Sequence, residues 1–385
     1  MFNFSFHNPT RIHFGEGQIA QITKEIPIGS KVLVIYGGGS IKSNGIYEQV
    51  IAALSKHQCF EFGGVEPNPQ YDTLIKALAI IKEHDIDYLL AVGGGSVIDG
   101  SKFIAAASQY EGEDPWEIFA SRGRVKSALP LGVVLTLPAT GSESNTVSVV
   151  SRGKDKLSFA SSRVRPLFAV LDPAVSLSLS PQQVSNGVVD AFVHVIEQYL
   201  TYPVNAKVQD RFAEGLMLTL IEDGPKALTK ENGDDIAVRA NIMWSASLAL
   251  NGLIGMGVPQ DWTTHMIGHE ITASYGLDHA RTLSIILPAV MKHQRDNKAA
   301  KLLQYAERVW GITEGGDDEK IDAAIAKTEV FFRTMQVPVR LSEANISPSA
   351  IDTLLNQLEA HGMFKLGEHR KITLEQSREI LKLAI

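Results

Sequence analysis

Over the first half of the chain, short apolar runs alternate with longer segments of helical spacing. Lys31-Val32-Leu33-Val34-Ile35-Tyr36 is rich in β-branched residues and ends in Gly37-Gly38-Gly39-Ser40. A helical pattern follows through Ile46, Val50, Ile51 and Leu54. Residues 59–62 predict a second strand, and residues 69–85 a helix with Leu74, Leu78 and Ile81 on one face. Residues 88–92 predict a strand that feeds Gly93-Gly94-Gly95-Ser96, with a helix over 97–108 behind it. Residues 133–136 and 167–171 predict further strands. Nearly continuous apolar strands separated by helices indicate a parallel sheet covered on both faces.

Past Leu179 the strand-like runs stop and helical spacing continues to the C-terminus. Asp172-Pro173 and Ser180-Pro181 punctuate the change, and Pro181 is well placed to open a helix. The spacing therefore predicts an α/β domain over residues 1–179 and an all-α domain over residues 180–385. Residues 314–319, Glu-Gly-Gly-Asp-Asp-Glu, read as a solvated loop. No solenoid-type repeat is present; the two GGGS tetrapeptides are one local device used twice.

Composition narrows the class. The 385 residues carry a net charge of −7 and are 44% hydrophobic, which suits a globular chain with real cores. The acidity disfavours a protein that coats nucleic acid. No apolar run is long enough to span a membrane. The N-terminus lacks the basic and apolar stretches of a signal peptide, so a cytoplasmic protein is expected. Cys59 is the single cysteine. It excludes an internal disulfide and a thiolate zinc cluster, and it is expected to be a small buried residue beside a strand. Any metal site must use nitrogen and oxygen ligands.

A strand that ends in glycines and opens a helix offers backbone N–H groups to an anion. One such turn is ordinary in a parallel sheet; two point to a nucleotide with several phosphates. Neither turn fits the GxGxxG fingerprint: Ile98 and Lys42 occupy the sixth positions. Gly95 to Lys102 resembles a P-loop with its last pair inverted, which disfavours a kinase or ATPase. A third turn, Pro138-Ala139-Thr140-Gly141-Ser142-Glu143-Ser144-Asn145, is rich in hydroxyls and suits phosphate or ribose.

The segment 187–201 is apolar nearly all round, which predicts a buried helix. Yet Asp190, His194, Glu197 and Thr201 form one polar stripe. A buried carboxylate needs a partner, and a metal ion held at i, i+4 by Asp and His is one; a buried Asp–His pair is the plain alternative. A second helix places His265 and His269 on a shared face, and His279 follows a probable turn at Gly276. These histidines shift the balance to metal, although spacing does not say which of His265 and His269 binds it. The HExxH protease pattern is absent.

Together, GGGSxxD at 93–99, PATGSE at 138–143, DAFVH at 190–194 and the histidines at 265, 269 and 279 resemble the iron-containing (group III) alcohol dehydrogenases. The resemblance runs from Pro9-Thr10-Arg11 through the C-terminal helices and is strongest to the NADP-dependent butanol dehydrogenase and broad-range aldehyde reductase branch. It implies a dehydroquinate synthase-like fold: a Rossmann-like N-terminal domain, a helical C-terminal domain, and an active site in the cleft between them. It implies a homodimer. It implies a divalent metal, Fe2+ or Zn2+, on Asp190, His194, His265 and His279, polarising a carbonyl as a Lewis acid. His269 becomes a catalytic proton relay beside the nicotinamide, and Asp99 is expected to be a second catalytic residue. The implied NADP(H) contacts are Gly37, Gly38, Gly39, Ser40, Asn68, Gly94, Gly95, Ser96, Asp99, Thr136, Thr140, Ser142, Asn145 and Lys156. Where the wider family often has His-Gly, this chain has His279-Ala280.

NAD enzymes usually carry an acid after an early strand for the ribose 2′-hydroxyl. Here the first strand ends without one, and Lys42 is close by, so NADP(H) is expected over NAD(H). The expected reaction is hydride transfer between nicotinamide and an aldehyde or primary alcohol, with Trp262, Phe159, Leu253 and Ile254 as candidate apolar lining. The alternatives are a glycerol dehydrogenase-like polyol enzyme of the same fold and a non-catalytic nucleotide- or metal-binding protein.

Overall fold

The structure, a computed structural model, describes residues 1–120 and 124–385. The chain forms two compact units, residues 7–179 and residues 180–385 together with 1–6.

The first unit is built on strands β1 (Arg11–Phe14), β2 (Lys31–Tyr36), β3 (Gln58–Phe62), β4 (Tyr88–Gly93), β5 (Leu131–Leu135) and β8 (Phe168–Leu171), in the order β1-β8-β5-β4-β2-β3. Every neighbouring pair is parallel. β4, β5 and β8 are buried along their whole length, as expected of central strands that read as unbroken apolar runs. β6 (Val147–Arg152) and β7 (Asp155–Ala160) form a separate antiparallel hairpin. Helices α1 (Ile22–Glu25), α2 (Ile46–Ala53), α3 (Tyr71–Leu74), α4 (Ala77–His84), α5 (Gly95–Ala107) and α6 (Glu117–Ala120) complete the unit.

Several expectations are corrected here. The helix expected over 69–85 is two pieces, α3 and α4. Its start is delayed because Gln70 is extended, and its N–H-side neighbour Pro69 accepts from Ser151 of the hairpin. β1, β6 and β7 have no long apolar run and escape the pattern. Cys59 is exposed, because β3 is a sheet edge with one open face.

The second unit is helical: α7 (Pro181–Tyr199), α8 (Lys207–Lys226), α9 (Ile236–Ala249), α10 (Thr263–Tyr275), α11 (His279–His293), α12 (Ala299–Trp310), α13 (Asp317–Thr334), α14 (Ala350–Ala360) and α15 (Leu374–Leu383). Ser180 and Gln183 close a capping box around Pro181, an arrangement that stabilises a helix start by about 1 kcal/mol. The acidic loop expected over 314–319 ends at Gly316. Asp317, Asp318 and Glu319 instead form the first turn of α13, where acids favour the helix dipole. Ile267, Ile271, Ile285, Leu354, Leu358 and Ile380 share one core, which fixes α10 among α11, α14 and α15. The N-terminal residues belong with this unit: Phe2 N–H donates to Gly257 O at 2.8 Å. Among the described residues, no helix is long and apolar enough to cross a membrane.

Candidate active site

The glycine turns sit at the ends of neighbouring strands. β2 pairs with β3 on one side and β4 on the other, so the chain reverses its direction of travel across the sheet between β2 and β4. Such a switch point opens a crevice at the carboxyl ends of the strands. Gly37 to Ser40 follows β2, and Gly94 to Ser96 follows β4, which ends on Gly93. The third turn follows β5, with Thr136 N–H bonded to Gly93 O at 3.0 Å. A Cβ on Gly95 would lie 2.6 Å from the Thr140 side chain, so glycine is what lets the second and third turns touch.

Side chains tie these turns together. Asn68, in the left-handed region at φ 57°, donates its N–H to Ser96 Oγ at 3.2 Å. Lys156 Nζ on β7 donates to Asn68 Oδ1 at 2.8 Å. Asp99 accepts from Ser142 Oγ at 2.5 Å and from Val149 N–H at 3.0 Å, so both carboxylate oxygens are engaged. Lys102, which the sequence shows only as the end of a P-loop-like run, is fully buried. Its ammonium donates to Ser142 Oγ (2.7 Å), Asn145 Oδ1 (2.9 Å) and Val147 O (2.7 Å). Burial raises the Asp99 pKa and lowers that of Lys102 to about 8, while their mutual attraction opposes both shifts. The available signal was an Asp–Lys pair at i, i+3 in an otherwise apolar helix.

Lys42 stands differently from expectation. Its Nζ lies 2.6 Å from Glu61 Oε2, and Glu61 also accepts from Tyr36 at 2.9 Å and from Tyr47. An acid therefore lies near the first turn after all, supplied by β3, with Lys42 holding its pKa below the usual carboxylate range.

In the helical unit, α7 carries Asp190 and His194, both buried. α10 carries His265 and His269 and ends at Gly276, whose left-handed backbone (φ 67°) turns the chain so that His279 opens α11. Asp278 fixes that corner by accepting from Gln182 (2.8 Å) and Asn186 (2.9 Å) of α7. One ligand atom from each of Asp190, His265 and His279 lies within 4.8 Å of the others. Asp190 Oδ1 is 3.7 Å from both His194 Nδ1 and His279 Nε2. His194 Nε2 lies 3.0 Å from His265 Nε2. His269 is half-buried, its ring centroid 5.2 Å from that of His279 and 6.3 Å from that of His265.

Glu197, on the same stripe, points elsewhere: it accepts from Thr264 N–H at 2.6 Å and pairs with His265 Nδ1. A carboxylate on Nδ1 holds the imidazole in the tautomer that presents its Nε2 lone pair as a ligand. Burial lowers the His194 pKa to about 4, which keeps that ring neutral too. His194 Nδ1 is buried without a hydrogen bond. Two imidazole nitrogens bound to one ion at about 2.1 Å stand roughly 3 Å apart, so the 3.0 Å spacing fits a shared cation. One carboxylate with neutral imidazoles suits a divalent transition metal.

Of the candidate apolar lining, Trp262 stands beside these histidines, with ring centroids 5.3 Å from His265 and 6.3 Å from His194. Ile254 is core, and Phe159 packs edge-on against Phe119 in the other unit.

Two family models match the chain: iron-containing alcohol dehydrogenase over residues 9–173, and the Fe-containing alcohol dehydrogenase family C-terminal model over residues 184–385. The chain is 59% identical to the NADPH-dependent aldehyde reductase YqhD of Escherichia coli (strain K12), over the whole of both chains. It is 40% identical to the probable NADH-dependent butanol dehydrogenase 1 of Bacillus subtilis (strain 168), again over both entire chains. A crystal structure of E. coli K-12 YqhD superposes with a TM-score of 0.98 at 58% identity, covering 100% of this chain and 99% of the other. NADH-dependent butanol dehydrogenase A of Thermotoga maritima gives 0.95 at 36% identity, with coverage of 100% and 99%.

Proposed function

This chain belongs to the iron-containing alcohol dehydrogenase family, and from that membership we propose that it reduces aldehydes to primary alcohols with NADPH and one divalent metal ion. The observation that carries the reading is the clustering of one ligand atom each from Asp190, His265 and His279 within 4.8 Å, with His194 alongside, its Nε2 3.0 Å from His265 Nε2. Asp190, His194, His265 and His279 would hold the metal, Fe2+ or Zn2+, which when bound would supply Lewis-acid polarisation of the carbonyl.

The remaining chemistry belongs to the chain. Glu197 orients His265 through Nδ1. His269, half-buried beside His265 and His279, delivers the proton that the carbonyl oxygen takes up. Trp262 walls the site next to His194 and His265. The turns at Gly37 to Ser40 and Gly94 to Ser96 cradle the dinucleotide, with Asn68, Thr136, Thr140, Ser142, Asn145 and Lys156 around them. Asp99 organises this cradle rather than meeting the reacting atoms, since Ser142 and Val149 occupy its oxygens.

NADPH is preferred over NADH in this reading. Glu61, the one acid described beside the first turn, is engaged by Lys42, Tyr36 and Tyr47, which leaves it poorly placed to take a ribose 2′-hydroxyl. The relative named as NADPH-dependent at 59% identity supports the same choice; of two relatives at 40%, one is named as NADH-dependent and the other as NADP-dependent. Family resemblance supports a cytoplasmic homodimer.

The test is NADPH oxidation followed at 340 nm over a panel of short linear, branched and aromatic aldehydes, before and after chelation and with metal added back. Chelator-sensitive, metal-restored reduction is expected. Undiminished activity in metal-free protein, or none with any aldehyde, refutes the reading.

A further inference from the structure

We propose that Lys298 is a positioning residue for the metal set: its buried ammonium pins the end of α7 to the start of α10 and so fixes the spacing between the ligands each helix contributes. The inference rests on the reading of Asp190, His194, His265 and His279 as that set.

Lys298 immediately precedes α12 and is 4% exposed. Lysine is rarely buried unless it is paired. Here it donates to Leu200 O at 2.6 Å, where α7 ends. It meets Asp261 Oδ2 at 2.7 Å, just ahead of α10. It also meets Glu368 at 2.8 and 2.9 Å, in the C-terminal segment. An ammonium has three N–H donors, and partners from three separate parts of the chain account for them.

Asp261 passes the constraint on. Its Oδ1 accepts the N–H of Thr263, the first residue of α10, at 2.8 Å, and its own N–H donates to Glu197 O at 2.9 Å. The Glu197 carboxylate then takes Thr264 N–H at 2.6 Å and pairs with His265 Nδ1. A continuous polar path thus runs from Lys298 through Asp261 and Glu197 to His265, and α7, which supplies Glu197, also supplies Asp190 and His194. The two helices are joined at Asp261–Glu197 and again through Lys298, which meets both Leu200 O and Asp261.

The charges make this junction sensitive. Asp261, Glu368 and Glu197 are all buried or nearly so, and Lys298 is the cation that meets the first two. Without it, uncompensated carboxylates remain in a low-dielectric site and are driven apart or protonated. Either response moves the first turn of α10, where His265 lies. For stability alone, an apolar group of similar volume would serve as well. The placement of a cation where two of the three ligand-bearing helices meet points to a positional role.

Full-length protein loaded with Zn2+ is mixed with a chromogenic chelator, and Zn2+ release is timed for wild type, Lys298→Met, Asp261→Asn and Glu368→Gln. Thermal unfolding of the metal-free proteins is recorded alongside. Release at least about tenfold faster than wild type is expected for Lys298→Met and Asp261→Asn, and a smaller change for Glu368→Gln, which keeps the Lys298–Asp261 link. Wild-type release from Lys298→Met overturns the proposal, however far its metal-free melting temperature falls. Should Lys298→Met not fold, wild-type release from Asp261→Asn overturns it equally. A wild-type protein that never holds Zn2+ fails the metal-set reading itself, and this inference with it.

Discussion

His194 and His265 face each other through their Nε2 atoms at 3.0 Å, one from α7 and one from α10. Glu197 occupies the far nitrogen of His265. Two neutral rings in this attitude repel unless a proton or a cation lies between their lone pairs. His265→Ala is therefore expected to lose bound metal and turnover together, measured as metal content per chain and as NADPH oxidation. His269→Ala should keep its metal while turnover falls by about 10²-fold, the ordinary worth of a positioned proton donor. A metal-free His269→Ala protein contradicts this division of roles.

Glu197→Gln removes the carboxylate from His265 Nδ1 but keeps the volume. An amide can present either its oxygen or its NH2 to the ring, so the tautomer is no longer fixed. Metal affinity should fall by roughly 10–100-fold, as for other partners of a ligating histidine. Competition with a chelator of known affinity measures this, and an unchanged affinity rejects it.

Lys102 gives a pH-dependent stability of definite sign. Its folded pKa is depressed from 10.5 to about 8, chiefly by burial. Between those values the unfolded chain holds a proton that the folded chain has released. Unfolding therefore takes up a proton, and stability rises with pH across that window; the gain is lost as pH falls from 10.5 to about 8. The full effect is about 3 kcal/mol. The unfolding free energy of wild type minus that of Lys102→Met should climb by this order between pH 8 and 10.5, as read from urea denaturation. A flat difference rules it out.

If the first glycine turn takes the 2′-phosphate of NADPH, Ser40→Asp places a carboxylate against it. The ratio of kcat/KM with NADPH to that with NADH should drop by more than tenfold, mostly through the KM for NADPH. No change in the ratio would show that the 2′-phosphate lies elsewhere.

Trp262 has left-handed backbone at φ 66°, a strain of order 1 kcal/mol for a residue with a side chain. Its indole N–H donates to Gln260 Oε1 at 2.9 Å, which holds the ring beside His194 and His265. Trp262→Ala is expected to keep the metal and raise kcat/KM for branched relative to linear aldehydes by about tenfold. Equal loss on both substrates would make Trp262 a packing residue only.

The parallel strands were legible because β4, β5 and β8 are buried on both faces and so read as unbroken apolar runs. The helix at 181–199 was legible because Ser180-Pro181 starts it and one polar stripe crosses an apolar cylinder. β1 and the β6–β7 hairpin were not, since short, half-exposed strands leave no hydrophobic run to find. Cys59 was misjudged because exposure on an edge strand depends on what lies beside it.

The sequence by itself determined the donor types: the phosphate-type turns, and the Asp and His residues spaced to share helix faces. Periodicity is a property of neighbours along the chain, so it reaches that far and no further. Only the tertiary structure decided that Glu197 supports His265 instead of joining Asp190 and His194, that Lys42 is spent on Glu61, and that Lys102 and Lys298 are buried. Each of those outcomes joins residues remote in sequence. A charged side chain takes its role from whatever partner the fold brings within hydrogen-bonding distance.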